Sequence, residues 1–115
     1  MRIISLNANG IRSAARKGFF DWMHAQSADV VCIQETKAQV DQLAPEIRAP
    51  AGWHTFFFDA EKKGYSGVAL FSRHEPDAVT TGFGWDEFDR EGRYVQADFG
   101  KLSIASVYLP SGSSS

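Results

Sequence analysis

Hydrophobic positions along the chain follow two different periods. Residues 2–6, "RIISL", and 29–34, "DVVCIQ", are short apolar runs rich in β-branched residues, the pattern of buried strands. Between them Ala15, Phe19, Trp22, Met23 and Gln26 recur three or four apart, which predicts a helix over 12–26. Gly18 lies inside that stretch and marks a candidate break, since an interior glycine costs a helix about 1 kcal/mol. "NANG" at 7–10 ends the first run, with Gly10 free to take a positive φ. Strand, helix, strand at this spacing is a βαβ unit, with a parallel pair and a right-handed crossover.

The rest of the chain predicts hairpins. A polar stretch with Pro45 and Pro50 holds a short helix near 39–44. "WHTFFFD" (53–59) and "GVALFSR" (67–73) read as strands three and four, joined by a charged loop of hairpin length. Residues 74–92 read as irregular, broken by Pro76, Gly82, Gly84 and Gly92. "RYVQADF" (93–99) and "LSIASVY" (102–108) alternate around the two-residue turn "GK", a strong hairpin signal. The expected architecture is α/β: a mixed sheet built from a βαβ unit plus antiparallel hairpins. About two helices can cover one face of such a six-stranded sheet. Strands two to four are nearly continuous in apolar residues, which implies burial on both faces. Something else is therefore expected over the second face, either more of the same domain or a second copy through self-association.

Composition narrows the class. The chain has 115 residues, a length that suits one domain. It is 43% hydrophobic and 13% aromatic, enough for a packed core. A net charge of −2 excludes a wholly basic nucleic-acid binder but not a local basic groove. The one cysteine, Cys32, lies in an apolar run and reads as a buried thiol, which fits a reducing cytoplasm. No segment has the length or composition of a membrane span or signal peptide, so no membrane partner is expected.

Candidate chemistry gathers at strand ends. Parallel strands one and two end on the same sheet edge, so Asn7 and Glu35 are expected side by side. Ligand sites of open α/β sheets favour that edge. A carboxylate with an amide oxygen suits a hard cation such as Mg²⁺, which keeps waters and accepts substrate phosphate as a further ligand. Lys37 follows Glu35, and Tyr108 ends the last predicted strand. On spacing alone each has an ordinary reading. Asn7 serves as a turn former, Glu35–Lys37 as a surface pair, Tyr108 as a sheet aromatic, "GYSG" as a hairpin loop and "DREGR" as a solvated turn. His24, His54 and His74 have no metal-ligand spacing.

Taken together, "LNANGIRSA" (6–14), "DVVCIQETK" (29–37), "KGYSGVALFSR" (63–73), "REGRYVQADF" (90–99) and "VYLPSG" (107–112) are far more specific. In this order they resemble the N-terminal part of the exodeoxyribonuclease III and apurinic/apyrimidinic endonuclease family, within the endonuclease/exonuclease/phosphatase superfamily. The resemblance spans essentially all of residues 1–115. It implies about one half of a two-sheet α/β sandwich, with the rest of a single domain following in intact members.

The resemblance also implies roles. Glu35 is a metal ligand for Mg²⁺, or Mn²⁺, with Asn7 at or next to the metal. Tyr108 lies near the scissile phosphate, and Lys37 orients Glu35 or the phosphate. Gly64, Tyr65, Ser66 and Arg93 touch the DNA backbone. Intact members cut DNA 5′ to abasic sites and remove nucleotides from 3′ ends of duplexes. Asn9 matches the bacterial form of its motif, whereas Ser111 stands where some relatives carry Asn. The family's later Asp-x-Asn and histidine–aspartate motifs do not occur in these 115 residues, so the chain alone is expected to be inactive. Two other readings remain open: a non-catalytic binding module, and a superfamily phosphatase acting on small phosphate esters.

Overall fold

The computed structural model describes residues 1–110. Seven strands form two sheets. The first contains β1 (Ile3–Asn7), β2 (Val30–Gln34), β3 (His54–Phe58) and β4 (Val68–Ser72), in the order β1-β2-β4-β3. β1 and β2 are parallel, with Asn7 opposite Gln34, and the other pairs are antiparallel. The second sheet contains β5 (Ala78–Thr81), β6 (Tyr94–Phe99) and β7 (Leu102–Val107), antiparallel throughout and in sequence order. The βαβ unit and both expected hairpins are therefore present.

The crossover helix is two helices. α1 (Ile11–Arg16) and α2 (Phe19–Ala25) meet at Gly18, whose φ of 92° is left-handed and ends the helical run. A 3₁₀ turn (Val40–Gln42) lies where a short helix was expected near 39–44, and α3 (Pro45–Arg48) follows it. α4 (Asp86–Asp89) lies within the segment expected to be irregular.

Two apolar layers explain the burial. Ile11, Met23, Leu43 and Trp53 pack on one face of the first sheet against Val31, Ile33, Ala69 and Phe71. Phe71 is fully buried between Phe20 and Phe57. On the opposite face, Val30, Cys32, Val68 and Leu70 meet Val95, Ala97 and Ile104 of the second sheet. Full burial of such a side chain contributes about 1.5–3 kcal/mol. Cys32 donates its thiol toward the Ala105 carbonyl at 3.8 Å, and burial pushes its pKa up to about 11.

This packing corrects two expectations. The strands do not form one six-stranded sheet, and the apolar second face of β2 and β4 is not open. The chain's own three-stranded sheet covers it, so that face offers no surface for self-association. Alternation along β6 and β7 showed that each strand has an apolar side. It could not show that this side lies on a neighbouring sheet rather than extending the first one. The strand β5 was missed because all four of its residues are exposed at a sheet edge, where no burial pattern is imposed.

Asp29 ties the start of β2 to its surroundings. One carboxylate oxygen accepts the Arg2 N–H at 2.7 Å and the other lies 3.2 Å from His74 Nε2. The Arg2 N–H bond, then the His74 contact, hold this carboxyl below the usual range. An acid with a depressed folded-state pKa stabilises the fold above its unfolded value, and that contribution disappears as pH falls through the folded pKa. Asp29→Asn is expected to flatten the fall in melting temperature below about pH 4. An unchanged acid limb in thermal melts would remove Asp29 from the acid response.

Candidate active site

Backbone hydrogen bonds extend the first sheet beyond its strands and build the site. Past β1 and β2, the N–H groups of Ala8, Gly10 and Ile11 donate to the carbonyls of Gln34, Glu35 and Thr36 at 2.8–2.9 Å. On the other side, Thr36 N–H donates to Gly67 O at 3.1 Å and Lys37 N–H to Ser66 O at 2.8 Å. The segment "QETK" is thus strapped between the "NANG" and "YSG" loops. A side chain at Gly67, whose φ is 86°, would be strained, and its Cβ would overlap the Thr36 hydroxyl.

The straps hold an uncommon backbone. Asn9, Glu35, Lys37 and Ser66 have φ of 46°, 54°, 52° and 51°, and they are four of five non-glycine residues with positive φ among those described. Such conformations cost energy and persist where surrounding structure enforces them, often at functional sites.

Side chains meet within this frame. Asn7 Nδ2 donates to Glu35 Oε1 at 2.8 Å, and Asn7 Oδ1 accepts the Asn9 N–H at 2.8 Å. Lys37 Nζ donates to Asn9 Oδ1 at 2.6 Å and stands 3.7 Å from Glu35 Oε2. The expected juxtaposition of Asn7, Glu35 and Lys37 is therefore present, with Asn9 completing it.

Tyr108 arrives from the second sheet. Cys32 touches Ala105 O, and Ser106 Oγ donates to Ile33 O at 3.1 Å. Continuing two residues along both chains brings Tyr108 to Glu35. Burial, followed by the Glu35 charge, raises the Tyr108 pKa, so its phenol is a neutral donor at neutral pH. Tyr108 N–H donates to Arg93 O at 2.9 Å, which adds Arg93 to the same edge. Arg93 and Tyr65 both bond to Glu91, which the sequence reading passed over although "EGR" contains it.

Two residues expected at DNA are engaged within the chain itself. Ser66 is only 2% exposed, and its role here is to present its carbonyl to Lys37 rather than its hydroxyl to a ligand. The Tyr65 hydroxyl donates a hydrogen bond to Glu91 Oε1 at 2.9 Å. Gly64 is exposed in the loop with φ 71°, and Ser111 lies outside the described residues.

The donor set fits a weakly held Mg²⁺. Among the described residues no group of three or more His, Cys, Asp or Glu side chains gathers to enclose a metal. Glu35 offers one carboxylate at an accessible edge, the minimum for a cation that keeps waters and takes phosphate oxygens. Asn7 turns its nitrogen toward Glu35, an arrangement that orients the carboxylate.

Among the described residues no helix is long and apolar enough to cross a membrane. A family model for the Endonuclease/Exonuclease/phosphatase family matches residues 4–113. An exodeoxyribonuclease of Bacillus subtilis is 40% identical over 111 residues, covering 96% of this chain and 43% of that protein. A DNA repair nuclease of Danio rerio is 37% identical over 115 residues, covering 98% of this chain and 37% of that protein. An AP endonuclease from Archaeoglobus fulgidus superposes with a TM-score of 0.81 at 29% identity, over 96% of this chain and 42% of that one. The chain thus spans about two-fifths of the length of these relatives. With its mixed four-stranded sheet, its second antiparallel sheet and a match over nearly all its residues, the chain belongs to the endonuclease/exonuclease/phosphatase family.

Proposed function

We propose that this chain supplies the metal- and phosphate-binding side of a Mg²⁺-dependent DNA-repair nuclease. In the intact protein the reaction is hydrolysis of DNA phosphodiesters 5′ to abasic sites, with 3′-5′ exonuclease action on duplex ends. The observation that carries the reading is the Asn7–Glu35–Lys37 cluster beside Tyr108, with Glu35 and Lys37 held in left-handed backbone. Such a cation, when bound, neutralises phosphate charge and orients or activates water. Glu35 would hold it, with Asn7 steadying the carboxylate. Tyr108 keeps its proton and can donate to a phosphate oxygen as charge develops there. Lys37 and Arg93 supply positive charge for the backbone, a contribution that weakens with salt. Mn²⁺ is expected to substitute, since it shares the preference for oxygen ligands.

One carboxylate makes a weak site, and among the described residues no further carboxylate or imidazole joins it as a general base. The 115-residue chain by itself is therefore expected to bind DNA without cutting it. The test is fluorescence anisotropy with a labelled duplex carrying an abasic analogue, in Mg²⁺ and in EDTA. Tighter binding in Mg²⁺, falling as salt rises, supports the reading. Binding indifferent to both, or hydrolysis of inositol phosphates without any action on DNA, would overturn it.

A further inference from the structure

Arg93, Tyr65 and Glu91 close a hydrogen-bonded triangle at the edge of the site. Tyr65 Oη donates to Glu91 Oε1 at 2.9 Å. Arg93 Nη2 donates to Tyr65 Oη at 3.2 Å and to Glu91 Oε1 at 3.3 Å. A tyrosine hydroxyl has one proton, and here the hydrogen bond to Glu91 uses it. Tyr65 therefore cannot donate to a phosphate while the triangle is closed. Arg93 has five N–H donors, and the triangle engages only those on Nη2. Its Nε is buried without a partner among the described residues. That N–H is closed off from solvent, so the donors left to meet a ligand are those on Nη1, which makes no hydrogen bond among the described residues. The rest of Arg93 has little freedom. Its side chain is 16% exposed, its Cζ lies 5.6 Å from the Phe88 ring centroid, and its carbonyl accepts the Tyr108 N–H.

We propose that Glu91 is a positioning residue for phosphate binding. It locks Tyr65 and Arg93 into one unit and leaves Arg93 Nη1 for an oxygen of the DNA backbone. Its negative charge also tempers that of Arg93, so the phosphate is held by directed hydrogen bonds more than by net charge. The proposal rests on the DNA reading above, and the two can fail separately.

Two measurements test it on the full 115-residue chain. The first is ¹⁵N NMR of Arg93 in the absence of DNA, reading rotation about the Cζ–Nη2 bond. The second is anisotropy with the labelled abasic duplex across a salt series. Glu91→Ala is expected to speed the rotation and weaken binding roughly five- to tenfold, as loss of a charge-assisted contact predicts. Glu91→Gln keeps an acceptor oxygen but no charge. Rotation should stay slow, binding should not weaken, and the slope of log K against log salt should steepen by up to about 0.9. If Glu91→Ala leaves either rotation or affinity unchanged, the positioning role is overturned. Should that variant fail to fold, an unchanged salt slope in Glu91→Gln overturns it instead. If no form binds the duplex while Glu91→Ala still frees the guanidinium, the DNA reading falls and the locked unit stands.

Discussion

Glu35→Gln will remove the Mg²⁺-dependent gain in DNA affinity and, in the intact protein, slow incision at an abasic site roughly a hundredfold or more. The substitution keeps the shape of the side chain. Asn7 Nδ2 still finds an oxygen at the Oε1 position, and the loop bonds from Gly10 and Lys37 involve only backbone. Folding should therefore be little affected. What disappears is the one carboxylate facing Lys37 and Tyr108. A neutral amide oxygen is a much poorer ligand for a hard cation, and Lys37 loses its counter-charge. Affinity in EDTA should then rise slightly, because Lys37 is free to meet phosphate. Single-turnover incision of an abasic duplex at saturating Mg²⁺ gives the rate, and anisotropy in Mg²⁺ and EDTA gives the binding. Equal incision by parent and variant would sink the role assigned to Glu35.

Gly92→Ala will destabilise the fold by about 2–4 kcal/mol, through left-handed strain and overpacking together. Gly92 has φ 60°, and an added Cβ would lie 2.5 Å from Ala60 N, 2.5 Å from Asp59 C and 2.6 Å from Phe58 O. All three are backbone atoms at the end of β3, so no side chain can swing aside. The turn is further tied down where Glu61 N–H donates to Arg90 O at 2.9 Å. Relief requires moving the 90–93 segment, which carries Glu91 and Arg93. Urea denaturation should show the loss in stability, and DNA affinity should fall with it at temperatures where the variant stays folded. Gly64→Ala provides the contrast. Its φ of 71° is also left-handed, but nothing lies within 4 Å of the added Cβ, so only strain of about 1 kcal/mol is expected. Equal destabilisation by the two substitutions would show that contact with β3 is not the cause.

Much of the fold was legible from local pattern. β-branched runs identified β1 and β2, the helical period identified α1 and α2, and Gly18 marked their break. These signals are strong because they arise from burial within one element. Elements without that imprint were lost: β5 is exposed along its length, and α4 is a single turn inside a glycine-rich loop. For the site, Asn7 and Glu35 could be placed together because parallel neighbouring strands must end on the same edge. Glu91 could not be singled out, since an acidic residue in a charged turn resembles any solvated one until its partners are known. Ser66 was expected at DNA from the resemblance alone, and its burial could not be read from "GYSG", a hairpin-loop pattern with no apolar period.

The sequence by itself determined the α/β class, the βαβ unit and the arrival of a carboxylate and an amide at one sheet edge. Each follows from side-chain period, chain direction and handedness, which act over short distances along the chain. Only the tertiary structure decided that β6 and β7 stack on the first sheet, that Tyr108 thereby reaches Glu35, and that the Tyr65 hydroxyl hydrogen-bonds to Glu91. Those outcomes depend on contacts between segments far apart in sequence. An alternating pattern states which side of a strand is apolar; the partner on that side is chosen by packing of the whole chain.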